Sequence, residues 1–258
     1  MRYNFKIFLA VLGGLALGWM GCQTSFPTSY LSTNGPSVSM VCDFESGLSV
    51  NPNLAEADRQ GNHVKTAGVI VGTGSPNVTP LIVAPGANNT GHCVWLNSPV
   101  VTPPPPNNSY QAVQFVIPID SASFTINGSN FNVYDASLFS GIKFYLKVMG
   151  DDTAAVRSFS IPVLQTSTPP NGTCNAAATS NACYNGFAYS YGSTGGNWQL
   201  VTLPFASLTR GNYGSPITPT TLSGANLQQI VSLQWSEGGN NVPGTVNVDF
   251  YVDEIQFF

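Results

Sequence analysis

From Val41 onward the chain runs as short apolar segments broken by clusters of Gly, Pro, Asn, Ser and Thr. Several segments alternate strictly: Phe159, Ile161 and Val163 fall on one side, as do Val231, Leu233 and Trp235. A period of two places such residues on one face of a half-buried strand. The pattern predicts strands at 39–44, 64–71, 92–96, 112–117, 141–149, 157–164, 186–191, 198–204, 230–235 and 246–257. In the last of these Val248, Phe250 and Val252 point one way, and Asn247, Asp249, Tyr251 and Asp253 the other. Asp253-Glu254 interrupts the alternation before Ile255 and Phe257 resume it, as a bulge would. The Pro103–Pro106 run with Asn107 and Asn108 is loop. There is no internal repeat and no long amphipathic helix. Many short strands with turn-rich connections predict an all-β sandwich or barrel.

The N-terminus follows different rules. Arg2 and Lys6 precede an apolar run over 7–20 that ends in Gly21-Cys22, a secretory signal pattern. The run falls short of the roughly 20 residues a spanning helix needs, and Gly13, Gly14 and Gly18 weaken it further. Gly21-Cys22 resembles the lipobox of bacterial lipoproteins, in which the cysteine is lipidated after cleavage. Trp19 stands where that family usually has leucine, so ordinary cleavage without a lipid is the alternative. Gln23, which is not aspartate, implies delivery to the outer membrane in Gram-negative lipoproteins. The expected layout is a signal peptide at 1–21, a tether at 22–39 and a β-sandwich domain at 40–258. The tether reading rests on a polar stretch with two prolines and no periodicity.

Composition narrows the function classes. Only 8% of residues are charged, which disfavours amphipathic helices, and 43% are hydrophobic, which disfavours disorder. The formal charge of -4 becomes -6 once Arg2 and Lys6 leave with the signal peptide. An acidic chain without Lys/Arg clusters argues against nucleic acid as a partner and limits membrane contact to the lipid anchor. The domain is expected to act as a monomer. Of five cysteines, Cys22 is the lipid site, leaving four in an oxidising compartment. Three pairings are open. Cys174–Cys183, flanking a short polar loop, is favoured, and Cys42–Cys93 then follows. The alternative for Cys42 and Cys93 is a pair of free buried thiols. No Cys/His spacing suggests zinc.

Four pieces of the chain occur in a telling order: Cys42-Asp-Phe-Glu-Ser-Gly47, Tyr134-Asp-Ala-Ser-Leu-Phe-Ser-Gly-Ile-Lys-Phe144, Trp198-Gln-Leu-Val-Thr-Leu-Pro-Phe-Ala-Ser-Leu208 and Val248-Asp-Phe-Tyr-Val-Asp-Glu-Ile-Gln-Phe257. The set resembles the galactose-binding-like jelly-roll modules, especially carbohydrate-binding modules similar to family 11 and the related CIA30-like domains. It spans nearly all of 41–258. The resemblance implies a jelly-roll sandwich, a polysaccharide or glycan partner and a structural calcium tying the first strand to the last. Glu45 matches the glutamate of the opening motif and Asp253 the first aspartate of the closing one. Glu254 stands in place of the second aspartate. The alternative is that these carboxylates face solvent or cap turns.

Modules of this kind stack sugar rings on aromatic side chains and hydrogen-bond the hydroxyls. The expected ligand residues are Tyr189 and Tyr191, with Arg157, Asp249 and Tyr251 as polar or stacking partners. Phe187 shares their parity and reads as core, as do Trp198 and Trp235. An enzyme is not expected. His63 and His92 lie in no catalytic motif, and there is no nucleophile elbow or phosphate-binding lysine. The 12 acids offer only the adjacent pairs Asp151-Asp152 and Asp253-Glu254. The leading expectation is therefore a non-catalytic carbohydrate-binding lipoprotein of the cell envelope. A structural or adhesive envelope lipoprotein is one alternative, and a component or enzyme of polysaccharide degradation is another. An exposed aromatic row favours the first, a flat polar sheet the second, and a cleft with two carboxylates roughly 5–9 Å apart the third.

Overall fold

The computed structural model describes residues 39–42, 44, 56–57, 63–64, 68–71, 80–101, 112–120, 122–126, 128–150, 155–167, 171–174, 183, 186–210, 220–239 and 246–258. The expected signal peptide, Cys22 and Glu45 lie outside them, as do the side chain of Cys42 and all of the expected tether except Ser39. Among the described residues helix occurs only as three short 3-10 turns, at Ala87–Asn89, Phe205–Ser207 and Gly224–Gln228.

Two antiparallel sheets enclose one core. The first sheet runs, in chain order, through β1 (Ser39–Cys42), β5 (Leu81–Val83), β6 (Cys93–Val101), β10 (Gly141–Val148), β13 (Gln199–Pro204) and β16 (Val246–Phe257). Its spatial order is β13-β10-β16-β6-β5, and β1 pairs with the far end of β16. The second sheet contains β2 (Glu56–Ala57), β3 (His63–Val64), β4 (Gly68–Val71), β7 (Ala112–Asp120), β11 (Ala155–Ile161), β12 (Phe187–Ser190), β14 (Thr209–Arg210) and β15 (Ser232–Gly239). Its order is β14-β12-β11-β15-β7-β3-β2, with β4 also on β7. A separate hairpin joins β8 (Ala122–Ile126) to β9 (Ser129–Val133). The result is a jelly-roll β-sandwich.

Alternation decides what faces the core. Val248, Phe250 and Val252 are fully buried, as are Ile142 and Phe144 on the neighbouring strand. Trp235 reaches across from the second sheet and sits among Phe144, Phe159 and Phe115, at ring separations of 5.2, 5.0 and 5.6 Å. Its edge-on contact with Phe144, at 86°, joins the two sheets. Aromatic pairs of this kind add about 0.5–1.5 kcal/mol each beyond their buried area. The bulge expected at Asp253-Glu254 is present. The β10–β16 register shifts between Lys143 and Tyr145, and Glu254 adopts a φ of 46°. That slip returns Ile255 and Phe257 to the core.

The disulfide expected between Cys174 and Cys183 is formed, closing a loop with a sequence separation of 9. The companion Cys42–Cys93 bond is not. Cys93 is a buried thiol whose Sγ lies 3.6 Å from the Val83 carbonyl and 3.8 Å from that of Pro85. Cys93 lies on the outer face of its strand, opposite in parity to core-facing Val94, and is covered by the turn after β5.

Candidate functional site

The outer face of the first sheet carries a strip that runs across the strands. Leu81 on β5 pairs with Trp95 on β6, Trp95 with Tyr251 on β16, and Tyr251 with Lys147 on β10. Trp198 directly precedes Gln199, the partner of Leu146, and so falls level with Lys147 on the next strand. Adjacent strands lie roughly 4.8 Å apart, close enough for side chains in one row to touch.

Trp95 stacks on Tyr251 with 5.8 Å between ring centroids and 11° between planes. Trp198 meets Tyr251 edge-on, at 6.1 Å and 71°. The Lys147 ammonium lies 4.6 Å from the Tyr251 centroid and 5.9 Å from that of Trp198, within range of a cation–π contact. The indole N–H of Trp95 donates to Asp249 Oδ1 at 2.7 Å, which fixes the ring on the sheet. Burial pushes the Tyr251 hydroxyl above its ordinary pKa, and the Asp249 carboxylate adds to this. Leu200 pairs with Tyr145 one row further on, and Leu81 and Leu200 are each about half exposed.

Beside the strip, the segment over 84–92 folds onto the same face and buries Asp253. Its Oδ2 accepts hydrogen bonds from the Ala87 N–H at 2.8 Å and the Thr90 hydroxyl at 2.9 Å. Oδ1 accepts from the Glu254 N–H at 2.8 Å. Gly86 permits this approach, because a Cβ there would lie 2.2 Å from Thr90 Oγ1 and 2.5 Å from Asp253 Oδ2. Burial drives the Asp253 pKa up to about 7 against those hydrogen bonds. A calcium ion needs a shell of oxygen acceptors. The described residues around Asp253 instead present N–H and O–H donors, and none form a cluster of three metal-ligating side chains. Glu45, the partner that the resemblance implies, lies outside the described residues. Asp253 clamps the loop.

The five expected ligand residues do not converge. Asp249 and Tyr251 stand in the strip. Tyr189 is exposed on β12 of the other sheet, and Tyr191 is half-buried against the core with its hydroxyl 3.4 Å from the Ser236 carbonyl. Arg157 is buried in an ion pair with Glu237, at 2.6 Å, and is not available to a ligand. Trp198, expected in the core, is half-exposed in the strip, whereas Trp235 is core as expected. Trp95 and Lys147 were not foreseen. Alternation carried their signal: Val94 and Leu96 face inward, as do Leu146 and Val148, so Trp95 and Lys147 face out. The outer face of the second sheet shows Gln114, Ser158, Ser160 and Gln234 and, among the described residues, no aromatic.

No family model matches the chain, and no curated protein matches it. Solved structures do. A family 11 carbohydrate-binding module from Clostridium thermocellum, in complex with a β-1,3-1,4-mixed-linked tetrasaccharide, is 19% identical. It aligns over 87% of this chain and 96% of its own, with a TM-score of 0.51. The family 11 module of the cellulosomal cellulase Lic26A-Cel5E of the same organism is 18% identical over 74% of this chain and 86% of its own, with a TM-score of 0.46. A CBM27-1 module from Caldicellulosiruptor saccharolyticus, in complex with mannohexaose, is 11% identical over 86% and 97%, with a TM-score of 0.39. At these identities a likeness speaks to architecture, and the first of them agrees with the two sheets described above: this chain has the jelly-roll fold of a family 11 carbohydrate-binding module.

Proposed function

We propose that this chain is a non-catalytic carbohydrate-binding protein of the bacterial cell envelope, held at the outer membrane by a lipid on Cys22. The observation that carries the reading is the strip Leu81–Trp95–Tyr251–Lys147–Trp198, an aromatic and polar row laid across one sheet face. Partly exposed rings pack against the C–H faces and edges of sugars, while Asp249 and Lys147 offer hydrogen bonds to hydroxyls. The fold shared with a module solved with an oligosaccharide bound supports the same reading.

Titration calorimetry of the chain against a panel of soluble polysaccharides tests this. Trp95→Ala and Tyr251→Ala are each expected to weaken binding at least about tenfold, or roughly 1.4 kcal/mol. Tyr189→Ala, on the other sheet, is expected to bind as the parent does. Equal binding by parent and strip variants would move the site elsewhere. Cys22→Ser is expected to shift the protein from the membrane fraction to the soluble fraction. Continued membrane retention, with no incorporation of labelled fatty acid by the parent, would remove the anchor.

A further inference from the structure

We infer that the strip selects glycans bearing carboxylates, with Lys147 as the residue that reads the charge. The inference rests on the carbohydrate-binding reading and narrows its ligand class. A neutral sugar held by stacking needs an aromatic ring with an open face. Tyr251, at the centre of the strip, has none. Trp95 stacks on it from the β6 side, and the Lys147 ammonium lies over it from the β10 side. What the middle of the strip offers is a cation flanked by Tyr251 and Trp198.

The distribution of charge points the same way. The chain is acidic, with 12 Asp and Glu against 8 Lys and Arg. The described residues include four basic ones, Lys143, Lys147, Arg157 and Arg210. Arg157 is consumed inside the sandwich, and Arg210 belongs to the second sheet. Both described lysines lie on β10 with the same parity, on the outer face, and Tyr145 lies between them. The strip's own carboxylate, Asp249, accepts the Trp95 N–H. A uronate carboxylate set against Lys147 forms a charge-assisted hydrogen bond, stronger than any hydroxyl contact there. The aromatic rings on either side exclude water from it and supply contact to the sugar ring.

The test uses the full chain purified in detergent, titrated with polygalacturonate and alginate, each beside its methyl ester. The ester keeps the sugar backbone and removes the charge. At least one acid polymer is expected to bind at least about tenfold more tightly than its ester. Raising the salt from about 0.05 to 0.5 M is expected to erode that difference, because exposed charge pairs are screened. Lys147→Met is expected to abolish the discrimination, so that acid polymer and ester bind alike, while the melting temperature stays at the parent's value. Equal binding of acid and ester, or discrimination intact in Lys147→Met, overturns the inference. Binding of neutral β-glucan alone overturns it and leaves the carbohydrate reading in place. Binding of no polysaccharide overturns both.

Discussion

Replacing Arg157 by methionine is expected to lower the unfolding free energy by about 3–5 kcal/mol, because it leaves a buried carboxylate uncompensated. Arg157 Nε and Glu237 Oε1 lie 2.6 Å apart on paired positions of β11 and β15, and both side chains are buried. The guanidinium also reaches the Gly150 carbonyl, at 3.4 Å. The pair thus ties the inner face of one sheet to the end of the other. Even with this help burial pushes the Glu237 pKa up to about 6, and its Oε2 has no hydrogen-bond partner among the described residues. Loss of the cation raises the carboxylate pKa further. The double variant Arg157→Met/Glu237→Leu is expected to recover most of the loss, since an apolar pair of similar volume removes two desolvated charges together. Denaturant unfolding of the parent, the singles and the double measures this cycle. A loss below about 1 kcal/mol in the single variant would mean that Glu237 finds water or another partner. Glycan affinity of Arg157→Met, measured where it is folded, is expected to match the parent. A selective loss of binding would return Arg157 to the ligand site where the sequence had placed it.

The fate of Arg157 shows where sequence reading stops. The strands were legible because alternation is local. Nine of the ten expected segments correspond to single strands, 246–257 with the same ends and the other eight with shifted ones, and 64–71 splits into His63–Val64 and Gly68–Val71 along β7. The β8–β9 hairpin was missed although Asn127-Gly128 between two alternating runs is a strong two-residue turn signal. The site was less legible. Parity says that Arg157 shares a face with Phe159 and Ile161, and therefore points inward. Assigning it to a ligand overrode the pattern in favour of its charge. Glu237, 80 residues later in the chain, is what makes an inward arginine tolerable, and only strand pairing brings the two together. Trp198 failed for the converse reason. It precedes its strand, so its direction depends on the turn before Gln199 and not on alternation. The burial of Asp253 was also hidden, since the 84–92 segment that covers it follows no periodic rule.

Thermal stability is expected to rise as the pH falls from about 8 to about 5, opposite to the trend of a protein held by ionised carboxylates. Asp253 and Glu237 are both fully buried, with pKa values raised to about 7 and about 6 from ordinary values of 3.8 and 4.5. A carboxyl whose pKa is higher folded than unfolded binds its proton more tightly in the native state. Between the two values the folded chain holds a proton that the unfolded chain has released. The stabilisation is therefore complete near pH 4 and lost as the pH climbs through about 6 and 7. The geometry can accommodate a proton on Asp253. The Thr90 hydroxyl lies 2.7 Å from the Ala87 carbonyl and 2.9 Å from Asp253 Oδ2, and its single hydrogen serves one of them. If Thr90 donates to Ala87, a proton on Oδ2 completes the chain by donating to Thr90. Each tenfold gain in proton affinity on folding is worth about 1.4 kcal/mol, so the two groups together supply on the order of a few kcal/mol across this range. Melting temperatures measured at intervals from about pH 5 to 8, in buffers of constant ionic strength, are expected to fall steadily. Asp253→Asn and Glu237→Gln are each expected to flatten part of that slope. A parent whose stability is flat or rising over the interval would mean that both carboxylates are ionised in place, the loop clamp by its three donors and Glu237 by Arg157.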